Sequence, residues 1–208
     1  MDVFRAIEQR RSVKHFDPQH RMSPQETRCL LHNALLAPSA FNLQHWRFVL
    51  LQDPAIRQQV RQLAWDQSQI TDAALLVVIC GDRNAWQRQP QRNWAHLPET
   101  QQGQILTAID QYYRDKPQVQ QDEVIRSGAL AAQNLMLAAK ALGYDSCPMI
   151  GFDFTAVGQL IELPADHAIV LMVAIGKKTR EPWPRGSQLS LEDVCFSDRF
   201  TRPCQLND

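Results

Sequence analysis

Two guanidinium groups, a hydroxyl and an ammonium stand within five residues, at Arg10, Arg11, Ser12 and Lys14. Guanidinium ions hold phosphate in a bidentate fork and a lysine adds a mobile point charge, so this run could bind a phosphorylated ligand. A solvated basic helix end has the same composition, because positive charge complements the carboxyl end of a helix. A second run, APSAFNLQHW, turns at Pro38 and Ser39 and carries Asn42 and Gln44. Their amides both donate and accept, which suits the alternating edge of a pyrimidine-like ring. A plain Pro-Ser-Asn turn accounts for the run equally.

The third cluster, CPMIGFD, closes an apolar strip on Ile150 and Gly151. Backbone without a Cβ can approach a flat ligand closely there, and a buried strand ending in a turn is the alternative. The fourth runs from Gly176 through Lys177 and Lys178 to Arg185, late basic residues that could reach a phosphate or form a basic surface loop. One theme connects the four clusters: the binding of a phosphorylated aromatic cofactor. The eight glycines form neither GxGxxG nor a phosphate-cradling GxxxxGK[ST], and HExxH and GxSxG are missing. The usual dinucleotide, kinase-like and hydrolase readings therefore lose their sequence support.

The elements that position these clusters follow from periodicity. Val3, Phe4 and Ile7 predict a short helix over residues 2–10. Ser23, Pro24 and Glu26 supply an N-cap, an N1 proline and the acid of a capping box for a second helix that stops near Pro38. WRFVLL from Trp46 and ALLVVIC from Ala74 read as strands, the latter buried on both faces. AIVLMVAIG from Ala168 reads as another interior strand. Between Arg83 and about Asp122 the chain turns polar and glutamine-rich, which predicts an exposed helical excursion that could act as a lid. Trp94, Tyr112 and Tyr113 within it are packing residues first and acceptor-pocket residues second. Glu123 to Leu142 predicts an alanine-rich helix, apolar nearly all round, capped at Gly143 and suited to the centre or to a subunit contact. Prolines 182, 184 and 203 make residues 178–208 a poor core and a plausible arm to pack on a neighbour.

The 208 residues suit a single domain over 1–208. Lys plus Arg and Asp plus Glu are equal at 22 each, so the charge balance points neither to nucleic acid nor to an anionic membrane. Five cysteines without a CxxC pair argue against a disulfide framework and a structural zinc site, and suit a reducing cytoplasm. The opening lacks a signal-peptide apolar run and no stretch is long enough to span a bilayer, so the expected location is cytoplasmic.

Taken in order, RRSVKHFDP, APSAFNLQHWRF, the strand preceded by Asp66, Gln67, Ser68 and Gln69, PMIGFD and GKKTREPWPR resemble the FMN-dependent nitroreductase family across essentially the whole chain. The resemblance implies an α+β fold: a central, mainly antiparallel mixed sheet flanked by helices, in an intertwined homodimer with two FMN sites at the interface. It implies that Arg10, Arg11 and Ser12 grip the FMN phosphate and ribityl region with Arg185, or Lys177 in its place. Lys14 would lie near the pyrimidine end of the ring, where reduced flavin carries negative charge and a fixed cation tunes its potential. Pro38, Ser39 and Asn42 would come from the twin subunit. Gln67 or Gln69 would meet the polar edge, and Ile150 and Gly151 would cover N5. Some relatives carry a glutamate where this chain has Ile150.

The activity implied is hydride transfer from NADH or NADPH through flavin N5 to a nitroaromatic, quinone or similar small electron-poor acceptor, in a ping-pong cycle with no side-chain nucleophile, no metal and no histidine catalyst. A protein that stores or senses FMN without turnover is the alternative. Reductive dehalogenation, enal reduction and flavin fragmentation also occur on this fold.

Overall fold

The computed structural model describes residues 1–204; the last four residues of the expected arm lie outside the described residues. A four-stranded sheet of order β1-β2-β4-β3 forms the middle, from β1 (Trp46–Leu50), β2 (Leu75–Asp82), β3 (Asp145–Met149) and β4 (His167–Gly176). All three pairings are antiparallel, with Leu50 opposite Val77, Leu75 opposite Ile175 and Asp145 opposite Gly176. The sheet is mainly antiparallel, as expected, and among the described residues its parallel element is one isolated bridge between Ser12 and Ser146 of β3.

Among the described residues eight α-helices accompany the sheet: α1 (Val3–Gln9), α2 (Pro24–Leu35), α3 (Pro54–Gln62), α4 (Gln69–Asp72), α5 (Glu99–Tyr113), α6 (Pro117–Ala141), α7 (Phe154–Leu160) and α8 (Leu191–Val194). The capping box of α2 forms as its sequence requires: Glu26 N donates to Ser23 Oγ at 3.2 Å and Ser23 N to Glu26 Oε2 at 2.9 Å. Side chains alternate across the pleat, so β2 sends Leu76, Val78 and Cys80 into one core and Leu75, Val77 and Ile79 into the other. The first core packs with Val13, Val60, Cys147 and Val157, and the second with Leu30, Leu135 and Ala139. Helix α6 lies close on the sheet because Gly128 has no side chain; a Cβ there would sit 2.6 Å from Val170 Cγ2.

Two expectations need correction. Helix α6 starts at Pro117 rather than Glu123, its first turns running through polar Gln118, Gln120 and Gln121. Proline at N1 preorganises that start, and no apolar stripe announces it. The excursion is helical but not merely exposed. Trp86, Ile109 and Tyr113 build a small core with Leu43 beneath it, the Trp86 and Tyr113 rings stacked at 6.3 Å. Among the described residues, no helix is long and apolar enough to cross a membrane.

Candidate functional site

Beyond Arg10, the C-cap of α1, the chain turns extended and runs beside β3. Val13 N donates to Ser146 O at 3.0 Å, Asp17 N to Lys177 O at 2.8 Å, and Thr179 N to His15 O at 3.0 Å. Val13 and Phe16 are buried as anchors, which leaves Ser12, Lys14 and His15 facing outward on a backbone that cannot shift freely. A basic sequence is thereby held as a fixed basic surface.

The segment after β4 folds back across this surface. Arg185 Nη2 donates to the α1 carbonyls of Glu8 at 2.8 Å and Arg10 at 3.1 Å, and Arg11 Nη2 donates to Trp183 O. Cationic groups on those carbonyls complement the negative end of α1. The result is a cavity of about 400 Å³ whose lining includes Arg10, Arg11, Ser12, Lys14, Trp183 and Arg185. Glu181 also lines it and is engaged by Lys178 Nζ at 2.8 Å.

The electrostatics of this cavity are unfavourable as they stand. Burial lowers the Arg10 guanidinium below its usual pKa, and the positive charges of Arg185 and Arg11 lower it further. Arg10 Nη1 is enclosed without a hydrogen-bond partner. A buried cationic donor left unpaired costs free energy that an anion would return. Lys14 and Arg10 also act on the buried Cys147 thiol, whose pKa burial raises and whose two cationic neighbours pull back. Both cations therefore serve the same side of β3.

Lys177 does not join them. Its Nζ donates to Gly143 O at 2.7 Å and lies 3.8 Å from the centre of the Tyr144 ring, a cation-π contact that ties it to the end of α6. Of the two late candidates, Arg185 is the one that the fold brings to Arg10.

At the far end of β3, Gln67 Nε2 donates to Gly151 O at 2.9 Å, and Gln69, itself buried, donates to Gln67 Oε1 at 3.0 Å. The two glutamines thus form one chain of amides ending on the Gly151 carbonyl. Sequence reasoning missed Trp65. It and Asp66 both adopt left-handed backbone, at φ 54 and φ 56, without a glycine. The turn is held by Arg61 Nε on Asp66 Oδ1 at 2.6 Å and lays the indole over Gly151, where a Cβ would meet Trp65 Cζ3 at 2.5 Å. Trp65 is 77% exposed and Ile150 70%, so together they form an apolar lip beside the amides. A lone tryptophan before a polar run carries no signal of such a turn.

Pro38, Ser39 and Asn42 lie in the loop before β1 and do not line the arginine cavity within one chain. Phe41, Asn42 and Gln44 all have positive φ, and the loop is stitched by Gln44 N donating to Ser39 Oγ at 2.9 Å. Asn93 Nδ2 donates to Asn42 O at 2.8 Å, which fastens the loop to the excursion. Behind it His45 is fully buried, with Nδ1 3.0 Å from Ser127 Oγ and Nε2 3.4 Å from Tyr113 OH. Burial pushes its pKa down to about 4, so the ring is neutral and structural.

The α+β fold thus sets a cluster of cations around Arg10 beside one end of β3 and an exposed apolar lip, Trp65 and Ile150, near the other. Residues 7–177 match the nitroreductase family, and the chain belongs to it. It is 53% identical over 181 residues to Protein DrgA of Synechocystis, covering 87% of this chain and 86% of that protein. It is 31% identical over 187 residues to "Putative NAD(P)H nitroreductase MhqN" of Bacillus subtilis, covering 86% of this chain and 91% of that one. A crystal structure of "a putative NAD(P)H:FMN oxidoreductase" from Staphylococcus epidermidis superposes with a TM-score of 0.86 at 29% identity, over 93% of this chain and 94% of that chain. The fold is that of the nitroreductases.

Proposed function

We propose that this chain is an NAD(P)H-dependent flavin oxidoreductase that binds FMN along β3, with the phosphate at Arg10. The observation that carries this reading is the enclosed, partnerless Nη1 of Arg10 in a cavity where Arg11, Arg185 and Lys14 add like charge. A dianionic phosphate fits such a site, since it accepts several charge-assisted hydrogen bonds and relieves the repulsion at once. Arg10, Arg11, Ser12 and Arg185 hold that end. Ser12 bridges in parallel to Ser146 of β3, and the four residue steps from Ser146 to Ile150 cover roughly 13 Å at strand rise. That length suits a mononucleotide whose ring ends at Gln67, Ile150 and Gly151.

The chemistry FMN supplies when bound is two-electron transfer, from NADH or NADPH to a nitroaromatic, quinone or similar electron-poor acceptor in alternating half-reactions. The protein orients and polarises. Lys14 places a fixed positive charge at the ring's pyrimidine end, and the Gln69–Gln67 amides meet the polar edge. Trp65 and Ile150 shield the neighbouring face from water.

The same reading makes the working unit a single-domain homodimer in a reducing cytoplasm, with Pro38, Ser39 and Asn42 donated by the twin subunit. Supporting it, α1 exposes Val3, Phe4 and Ile7, and the arm exposes Trp183, Leu189, Leu191 and Phe200, apolar area that one chain leaves uncovered. Purified protein should be yellow, dimeric in sedimentation, and bleached anaerobically by NADH or NADPH, with colour restored by a quinone. Colourless protein that takes up no FMN rejects the reading; bound FMN that neither nicotinamide reduces makes it a storage or sensing protein instead.

A further inference from the structure

Arg21 and Arg57 face a cleft of about 480 Å³ that shares no lining residue with the Arg10 cavity. It opens between the loop before α2, the start of α3 and the start of β2, and Thr27, Gln52 and Gln58 complete its polar wall. Arg57 is fixed by backbone, with Nε donating to Leu51 O at 2.6 Å and Nη1 to Ala73 O at 2.5 Å, which leaves Nη2 without a protein partner among the described residues. Arg21 is fixed likewise by Nη1 on Pro18 O at 2.6 Å and His20 O at 3.1 Å. Both guanidinium groups are therefore preorganised by backbone carbonyls, and each keeps N–H donors without a bond.

No carboxylate balances them. Among the described residues neither arginine forms an ion pair, and no acid lines the cleft. The acids next to its lining residues hold other donors rather than either arginine: Asp17 Oδ1 accepts from Gln19 N at 2.9 Å, Glu26 Oε2 from Ser23 N at 2.9 Å, Asp53 Oδ1 from Ala55 N at 2.7 Å and Asp72 Oδ1 from Thr71 Oγ1 at 3.0 Å. Arg57 carries a lowered pKa from burial first and from the charge of Arg21 second. Two cations converging on one concavity repel unless something negative stands between them.

We infer that the Arg21–Arg57 cleft is a second anion site, which takes a small phosphate- or carboxylate-bearing ligand between two preorganised guanidinium forks. Planar forks with partly satisfied donors lose little freedom on binding an oxyanion, and the Gln52 and Gln58 amides can donate to its remaining oxygens.

The test uses FMN-loaded protein, so that the Arg10 cavity is already filled, and inorganic phosphate as the probe at constant ionic strength in chloride. Calorimetric titration should show saturable phosphate binding, and Arg21→Gln should weaken it about tenfold while FMN content and melting temperature without phosphate stay unchanged. Arg21 is exposed and its loss spares the fold, whereas Arg57 braces Leu51 and Ala73 and is left in place. Absence of saturable binding overturns the site. So does phosphate affinity that is unchanged in Arg21→Gln, or that is lost in Arg185→Gln instead, since the phosphate would then belong to the cofactor cavity.

Discussion

The interior beneath α6 and the rim around Arg10 use opposite physics in one chain. Leu75, Val77, Ile79, Leu135 and Ala139 are buried among like side chains, and each contributes by leaving water. Arg10, Arg11, Lys14 and Arg185 are gathered in one cavity, where burial and the charges of Arg185 and Arg11 all disfavour the Arg10 cation. The interior stabilises itself. The rim is held in place by neighbours, through Val13, Phe16 and the carbonyls of α1, and awaits a counter-charge. A region that is stable alone serves as scaffold, and one that is stable only in company serves as a binding site.

The sharpest way to break this contrast is to damage the interior alone. Leu135→Ala removes a fully buried side chain from the α6 core and should lower unfolding free energy by about 2–5 kcal/mol in urea titration. The affinity of the surviving folded protein for FMN should stay within about twofold, the variation expected of a distant and independent site. A large loss of FMN affinity would mean that the core and the rim are one cooperative unit.

The effect next in size is expected at His45, buried just before β1 against Ser127 of α6 and Tyr113. The unfolded chain takes a proton at an ordinary histidine pKa near 6.5, whereas the folded chain refuses it until about 4. The unfolded state therefore binds more protons in that window, and stability falls as pH drops through it, by up to about 3 kcal/mol. Urea midpoints at pH 7 and pH 5 measure most of the effect while Glu26, with its pKa near 2, stays ionised. His45→Asn should flatten the difference; an unchanged slope would place its cause elsewhere.

Arg10→Ala reverses the sign seen for the interior. Loss of one charge-assisted phosphate contact should weaken FMN binding about tenfold or more. The apoprotein should be no less stable than wild type, because a repelled cation has been removed. FMN-dependent stabilisation should shrink accordingly, as mass action requires. If apo and holo proteins lose stability equally, Arg10 is a packing residue.

The same contrast explains what could be read before the fold was known. Ser23-Pro24-Glu26 and the β2 run carry their own physics locally, so the capped helix and central strand were legible. The basic clusters were legible as types and spacing, and the family resemblance gathered them. Three features depended on tertiary contacts. The first turns of α6 are tied in by polar contacts, Gln120 Nε2 donating to Tyr113 O and Arg83 Nε to Gln121 Oε1, so their helix left no apolar stripe. Lys177 looks as basic as Arg185 in sequence and is removed from the rim by Tyr144 and Gly143. Trp65 owes its place to two consecutive left-handed residues, which no local propensity favours in tryptophan or predicts in this run.

The finest probe of the rim separates holding the ligand from tuning it. Lys14 lies two residues past Ser12, outward-facing and exposed in the same cavity, and the proposed function assigns its charge to the ring end of FMN rather than to the phosphate. Lys14→Met keeps the stem's length and apolar contact while deleting the charge, so FMN content should hold and the midpoint potential should fall by roughly 30 mV, the equivalent of tenfold for a two-electron couple. Potentiometric titration under argon measures that shift directly, and raised salt should narrow the gap between variant and wild type because the lysine is solvent-exposed. If the potential is unmoved while FMN affinity drops, Lys14 belongs with Arg10 as a phosphate ligand, and the rim is a single anion clamp with no separate site for tuning.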